Sequence, residues 1–114
     1  MGLEDELLGF TGSTIVYRHW SKFFVYTEGT KYLAEQAGAY WLIDAIASYQ
    51  PQFQSVSFQV WDLLVQDNKQ AVLTMQEDEG EPVLVRQPIQ YTDFALNTVR
   101  LFVVNKVLML PGEY

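Results

Sequence analysis

The fold is decided by the stretch AYWLIDAIASYQP, residues 39–51. Its apolar side chains fall on two stripes at helical spacing: Leu42, Ile46 and Tyr49 on one, and Tyr40, Ile43 and Ala47 on the other. A helix that is apolar on nearly every side is normally buried, so we expect the central helix of the domain here. The helix ends before Pro51, because proline lacks a backbone donor and restricts the residue before it.

Shorter helical stretches come before this helix. Residues 31–37 make two turns, which Thr27 or Thr30 can cap because a hydroxyl accepts from the first free backbone amides of a helix. Gly38 either ends these turns or lets another element approach closely. Nearer the N terminus, three leucines at helical spacing indicate one more short helix: Leu3, Leu7 and Leu8.

Strands lie on both sides of the helical segment. Residues 14–19 alternate β-branched and aromatic side chains after a turn at residues 11–13, and residues 23–26 are the hairpin partner. From Phe53 onward the apolar period is two, which predicts the remaining strands: residues 53–65, 70–76, 83–89, 99–104 and 107–110. At Trp61 the apolar phase slips by one residue, so the strand there either has a bulge at residues 60–61 or is buried on both faces.

This order of elements predicts an α+β domain. We expect a mainly antiparallel, twisted sheet of about five to seven strands, with one central buried helical segment packed on one face. The short connections favour antiparallel pairing, because parallel strands need long crossovers. No repeat, low-complexity run or linker divides the chain, so residues 1–114 form a single domain.

The face of the predicted sheet opposite the helical segment is also apolar in part. One helical layer covers only one face, so the other is polar, covered by loops, or covered by another molecule. Residues 60–65 and 99–110 are apolar on both faces, as strands buried on both sides are. The leucines near the N terminus could cover part of this face, but they are too few to shield several strands. We therefore expect a two-fold homodimer through the sheet or its edge.

The charge and composition of the chain limit its partners and its location. Seven basic against fourteen acidic residues give a net charge of −7, which disfavours binding to nucleic acid or to an anionic membrane. The acidic excess either serves solubility or mimics nucleic acid and occupies a basic partner.

The absence of cysteine excludes disulfides and thiolate zinc sites and fits a reducing, cytoplasmic setting. The acidic Glu4, Asp5 and Glu6 do not suit a signal peptide, and no apolar run is long enough to span a membrane.

The sequence contains no motif for catalysis or for cofactor binding. It has no glycine-rich phosphate loop, and its single histidine rules out metal sites with paired histidines. The acidic residues 77–81 could hold Ca²⁺ or Mg²⁺, but their spacing does not match an EF-hand, and such runs are usually solvated hairpin tips. No serine has an identifiable base and orienting carboxylate. We therefore expect no metal, no cofactor and no nucleophilic catalysis.

One constellation remains as a candidate pocket or ion pair: Tyr17, Arg18, His19 and Asp44. His19 is the side chain that titrates near neutral pH, and Tyr17 lies on its side of the strand. Arg18 points to the other face, where Asp44, the lone charge on the apolar helix, is the candidate partner. A structural Arg18–Asp44 ion pair and a hydrogen-bonded His19 would explain these residues without a catalytic role.

Six short segments spread over the chain carry a family resemblance. They are residues 17–20 (YRHW), 27–35 (TEGTKYLAE), 38–44 (GAYWLID), 58–61 (FQVW), 92–94 (TDF) and 110–114 (LPGEY). Together they resemble a family of small stand-alone bacterial proteins, a domain of unknown function. The resemblance covers nearly the whole chain and implies a setting in cyanobacteria and other bacteria, sometimes among mobile-element genes. It implies no activity and no mechanism.

The sequence thus leads to three functional hypotheses. The one we favour is a non-enzymatic cytoplasmic protein that acts through protein–protein contacts, as a homo-oligomer. The second is a small enzyme or ligand-binding module with a pocket near Tyr17, Arg18 and His19. The third is an acidic inhibitor that binds a basic partner.

Overall fold

The computed structural model describes residues 2–9, 15–22, 24–94 and 96–114 of the 114-residue chain. Within residues 2–9, the side chains of Glu4 and Asp5 are not described. The turn expected at residues 11–13, and the predicted strand ends at Thr14 and Phe23, lie outside the described residues.

The described residues form three α-helices and two short 3-10 helices: α1 at Leu3–Leu7, α2 at Glu28–Ala37, α3 at Tyr40–Tyr49, and the 3-10 helices at Gln50–Phe53 and Pro111–Glu113. Gly38 ends α2 in a left-handed conformation with φ of 62°, so the expected interruption is confirmed. Thr27 caps α2, because its Oγ1 accepts from the Thr30 amide at 3.3 Å. Among the described residues, no helix combines the length and the apolar character that crossing a bilayer requires.

Seven strands form one sheet: β1 at Val16–Arg18, β2 at Val25–Thr27, β3 at Phe58–Val65, β4 at Ala71–Gln76, β5 at Val83–Ile89, β6 at Thr98–Val104 and β7 at Val107–Met109. Their order across the sheet is β1-β2-β7-β6-β3-β4-β5. All neighbours are antiparallel except β2 and β7, which run parallel. That parallel pair is possible because the chain between the two strands includes both long helices. The predicted α+β class with a mostly antiparallel sheet is confirmed.

The core lies between one face of the sheet and the two long helices. Its largest contributions come from α3 and from alternate residues of the central strands: Leu42, Ile43, Ile46, Trp61, Leu63, Leu73, Met75, Leu101, Val103 and Leu108. The helix α3 is not buried on every side, however. Tyr40, Asp44 and Ser48 are spaced one turn apart and form an exposed stripe along it.

The phase slip in β3 comes from burial on both faces. Gln59 and Trp61 face the helices, Val60 faces the other way, and none of the three is more than 2% exposed. The register of β3 with β4 and β6 runs through these residues without a shift, so the strand has no bulge there. The irregularity of the sheet lies instead between Met75 and Gln76, where β4 pairs with β5.

The side of the sheet that turns away from α2 and α3 is called the open face below. Cross-strand register assigns these side chains to it: Val16, Arg18, Val25, Phe58, Val60, Asp62, Leu64, Val72, Thr74, Gln76, Arg86, Thr98, Arg100, Phe102, Val104, Val107 and Met109. The helix α1 packs against α2, where the Tyr32 hydroxyl donates to Glu6. Leu7 and Leu8 also line a cavity with Thr98 and Arg100, so this segment borders one end of the open face as well as α2.

The C-terminal residues are anchored at the start of α2. The Glu113 carboxylate accepts from the Thr27 hydroxyl at 2.6 Å and from the Gly29 amide at 3.3 Å. It also accepts from the Leu110 amide at 3.0 Å. A carboxylate is stabilised there because the free amides and the dipole make a helix N-terminus positive. Gly29 permits the approach, since a Cβ at that position would lie 2.7 Å from the Glu113 carboxylate.

Replacing Glu113 by alanine is expected to lower the free energy of unfolding by about 1–2 kcal/mol, because the start of α2 loses an acceptor. Glu35→Ala is the matched control, since Glu35 is exposed on α2 and makes only a surface ion pair with Lys31 at 3.2 Å. For the control we expect a change below about 0.5 kcal/mol. Urea denaturation measures both values, and equal effects would show that Glu113 is not an anchor.

Candidate functional site

His19 lies in the tight turn that follows β1. The His19 amide donates to the Phe24 carbonyl at 3.1 Å, and the Lys22 amide donates to the His19 carbonyl at 2.9 Å. Lys22 adopts a left-handed conformation in this turn, with φ of 66°. The His19 side chain is 3% exposed and meets the Phe24 ring edge-on, with centroids 5.3 Å apart. The turn therefore directs the single histidine of the chain into the protein.

Both ring nitrogens of His19 are hydrogen-bonded. Nε2 lies 2.7 Å from Asp44 Oδ1, and Nδ1 lies 2.7 Å from Ser21 Oγ. The Ser21 amide also donates to Nδ1 at 3.1 Å, so Nδ1 is an acceptor. In the neutral ring the proton therefore sits on Nε2 and is donated to Asp44.

Asp44 connects this turn to α3. Its side chain is 52% exposed, on the solvent-facing stripe of the helix. Trp20 Nε1 also donates to Asp44 Oδ1, at 3.2 Å, so two donors share one carboxylate oxygen. The apolar helix leaves the stripe of Tyr40, Asp44 and Ser48 open to water, so Asp44 is only half-buried.

The expected Arg18–Asp44 ion pair is wrong. The predicted alternation holds, because Tyr17 faces the helices, with the Lys31 ammonium of α2 5.1 Å from its ring centroid. Arg18 points to the open face, where it is exposed, whereas α3 lies on the same side as His19. Alternation separates the two faces of a strand but does not say which of them a helix covers.

Ser21, His19 and Asp44 form a serine–histidine–carboxylate chain, which the sequence analysis missed. The only local signal was a serine two residues after the histidine. Chemically, His19 can take the hydroxyl proton of Ser21 while Asp44 holds the ring in one tautomer. However, Nδ1 already occupies the Ser21 amide, which is then not available to stabilise an oxyanion. The arrangement is typical of a structural histidine whose two ring nitrogens are hydrogen-bonded, and less so of a general base that activates a serine nucleophile.

The described part of the chain contains cavities at two places that bear on function. The larger, about 320 Å³, lies at the end of α3 and is lined by Gln50 and Gln59. The smaller, about 220 Å³, lies beside the C-terminal residues and is lined by Leu7 and Leu110. Neither cavity is lined by the residues that the sequence singled out: Tyr17, Arg18, His19 and Asp44.

The larger cavity borders a buried pair of amide side chains. Gln50 and Gln59 hydrogen-bond each other through both amide groups, at 3.0 and 3.1 Å. Trp61 Nε1 donates to Gln59 Oε1 at 2.8 Å, and the remaining amide hydrogens reach the Ile46 and Val56 carbonyls. The pair joins the end of α3 to β3. No sequence pattern distinguishes Gln59 from an exposed strand residue.

The acidic loop between β4 and β5 is held by contacts of its own. Asp78 Oδ1 accepts from the Glu79 amide at 2.7 Å, and the Glu79 carboxylate pairs with Arg100 at 3.2 Å. Among the described residues, no group of three histidine, aspartate or glutamate side chains is arranged to hold a metal ion. The Glu79–Arg100 ion pair places this loop beside the open face.

Replacing Asp44 by alanine is expected to lower the free energy of unfolding by about 1–2 kcal/mol, because the buried His19 Nε2–H loses its acceptor. Asp44→Asn keeps the acceptor oxygen and should cost less. Arg18→Ala is the comparison, and a smaller loss than for Asp44→Ala is expected because Arg18 is exposed on the other face and leaves no buried donor unpaired. Thermal and urea unfolding of the three variants check this order. A larger loss for Arg18→Ala than for Asp44→Ala would overturn the assignment.

Comparison with known protein families gives a match to this chain. No curated protein and no solved structure matches the chain. A family match covers residues 1–114, the whole of the sequence. The resemblance to a domain of unknown function is confirmed at that level. The chain belongs to the family of unknown function DUF6876.

Proposed function

We propose that this protein acts through protein–protein contacts, as a homodimer that packs the open faces of two sheets together. One observation carries the proposal: the long helices lie on one face of the sheet, while the open face presents half-exposed apolar and aromatic side chains. Sheets with apolar residues on both faces normally bury both of them. A second copy of the chain supplies the missing layer.

An aromatic cluster lies on the open face. The ring centroids of Phe58, Phe102 and Tyr114 are 5.2, 5.4 and 5.7 Å apart, within the range of favourable aromatic pairs. Phe58 and Phe102 are only partly buried, and Tyr114 is 73% exposed. Leu64, further along β3, is 51% exposed. Burial of such groups stabilises association by about 25 cal/mol per Å² of apolar surface, and aromatic anchors dominate most interfaces.

The charged residues of the open face also suit an interface. All three arginines of the chain, Arg18, Arg86 and Arg100, lie on it, and arginine is enriched in interfaces while lysine is depleted. Arg100 is paired with Asp62 at 2.7 Å and with Glu79 at 3.2 Å, and the hydrogen bond to Asp62 raises the pKa of Arg100. Three arginines against Asp62 and Glu79 leave this region with a small positive excess on a chain of net charge −7. Two copies repel each other less here than elsewhere.

The placement of these charges fits a two-fold axis parallel to the strands. Such an axis puts β1 of one copy over β5 of the other. Residue pairing across neighbouring strands puts Arg18 and Phe58 at the same end of the sheet. At this end β4 stops and the acidic loop of residues 77–82 begins. The axis thus brings Arg18 of each copy to the acidic loop of the other, and this attraction occurs twice per dimer.

The size of the open face is sufficient for a dimer. The seven strands contain 37 residues. At about 3.3 Å per residue and about 4.8 Å between strands, they make a flat area of roughly 590 Å². Side-chain relief increases the accessible area above this value. A standard interface buries about 800 Å² per partner, so the face is of the right order.

The other hypotheses have less support. A catalytic pocket near Tyr17, Arg18 and His19 is disfavoured because both nitrogens of His19 are engaged within the protein. The acidic-inhibitor hypothesis requires free carboxylates, yet several are held in internal contacts: Glu6, Glu35, Asp62, Glu79 and Glu113. A cytoplasmic location in a bacterial cell is part of the proposal, and it rests on the absence of cysteine and on the family resemblance.

At tens of micromolar we expect the chain to have twice its mass of 13.1 kDa by light scattering coupled to size exclusion. Leu64→Glu should shift it to the monomer, raising the dissociation constant roughly 100-fold because two carboxylates are buried per dimer. Arg18→Glu should weaken the dimer less, roughly tenfold, because it removes two exposed attractions.

The matched control for both variants is Tyr40→Glu, which adds the same charge at a side chain 43% exposed on α3. It should leave the dimer intact. A wild-type monomer at these concentrations, or equal dissociation by Tyr40→Glu and Leu64→Glu, would rule out the open face as the interface.

Nucleic acid is not expected to bind the open face, although the face carries arginines and aromatic rings. Arg100 is neutralised by carboxylates, and Arg18 and Arg86 lie on strands at opposite edges, so too few phosphates can be neutralised. Fluorescence anisotropy with labelled single-stranded and duplex DNA at moderate salt should show no change. Micromolar binding that weakens with salt would contradict this and would favour a stacking platform for bases.

A further inference from the structure

We propose that the larger cavity binds a small organic anion, a carboxylate that carries an apolar ring or chain. The cavity lies where α3, β3 and the β6–β7 hairpin meet, and its sheet residues Gln59 and Val103 face the helices. It is therefore on the opposite side of the sheet from the open face. The inference does not depend on the homodimer, and the two can fail separately.

The size and the walls of the cavity suit such a ligand. Its volume of about 320 Å³ is at the lower end of the range for small-molecule pockets, roughly 300–1,000 Å³. Phe53, Val56 and Val103 contribute apolar side chains to the lining. The buried Gln50–Gln59 pair lies against them and is fixed by hydrogen bonds. A ring with a short side chain fits a space of this volume.

The charge of the cavity indicates an anion. Lys22 and Lys106 line it, and because both are exposed they stand at its mouth. No acidic side chain is among its lining residues, and neither lysine pairs with a carboxylate of the described part of the chain. Two of the four lysines of an acidic chain are thus gathered, unneutralised, at one opening. Such a mouth attracts anions over the acidic background of the rest of the surface.

The other polar groups of the cavity do not oppose an anion. The carbonyls at the end of α3 would repel it, but Ile46 O and Ala47 O accept from the side chain and the backbone amide of Gln50. The amide hydrogens of the glutamine pair are all engaged, so the lysine ammonium groups are the donors for the carboxylate. Ser57 and Asn105 also line the cavity and can add hydrogen bonds.

The backbone at both lysines makes them unusually good positions for a test. Lys22 has φ of 66° and Lys106 has φ of 68°, a left-handed conformation that glycine adopts at lower energy. Lys106 follows Asn105, φ 49°, in a two-residue hairpin turn that favours glycine at its second position. Replacing either lysine by glycine should therefore keep or raise the thermal midpoint while it removes the charge. Lys69, φ 67°, has the same conformation in the β3–β4 turn away from the cavity and is the matched control.

The experiment titrates the ¹⁵N-labelled chain with 3-phenylpropionate and, separately, with the neutral 3-phenylpropionamide. We expect saturable shifts of the Ser57, Asn105 and Lys106 amide signals, with the acid binding at least about tenfold more tightly than the amide. The double variant Lys22→Gly/Lys106→Gly should bind the acid no better than the amide, read at Ser57 and Asn105. Lys69→Gly should bind the acid as the wild type does.

Three results would overturn the proposal: equal affinity for acid and amide, no saturable shift at these amides, or unchanged acid affinity in the double variant. The thermal midpoint of each variant confirms that it is folded. The Leu64→Glu variant, which should be a monomer, is expected to bind 3-phenylpropionate as tightly as the wild type does. Failure of the homodimer proposal and failure of the ligand proposal can therefore be told apart.

Discussion

Burial of only one side of the sheet is the constraint on which the rest of the structure depends. The helices α2 and α3 build the core with one face of seven strands, and the described part of the chain has no second helical layer for the other face. In β3, Trp61 toward the helices and Val60 away from them are both buried, whereas Leu64 on the open face is 51% exposed. The half-exposed rings of the open face are the apolar surface that one layer cannot cover. A second copy is the simplest source of the missing layer, because it buries the same surface on both partners.

Polar contacts at three points hold the helical layer on the sheet. Asp44 of α3 binds His19 after β1, Gln50 at the end of α3 binds Gln59 of β3, and Glu113 binds the start of α2. All three pair groups that burial would otherwise leave unsatisfied. The segments that carry the family resemblance meet at two of these points: residues 17–20 with 38–44, and residues 27–35 with 110–114. Two of the three contacts thus join segments that carry the resemblance.

Local patterns were sufficient for the helices and strands but not for the contacts between them. The apolar stripes, Gly38 and the change of period at Phe53 predicted a helical segment and a mainly antiparallel sheet, because these signals are local. Alternation also separated Arg18 from His19, but the partner of Asp44 depended on which face α3 covers. The parallel pairing of β2 with β7 likewise depends on strands far apart in the chain. The open face itself was predictable, since two-sided apolar strands and a single helical segment are both visible in the sequence.

The distance between two copies of the open face tests this account most directly. The chain has no cysteine, so a spin label on Thr98→Cys or on Ser48→Cys occupies one site. Thr98 is exposed on β6, the middle strand, over which the proposed axis runs, whereas Ser48 is exposed on α3 on the far side. The account predicts that pulsed dipolar spectroscopy finds the Thr98 labels of a dimer closer together than the Ser48 labels. No distance between copies at either site, or a shorter distance at Ser48, would contradict it.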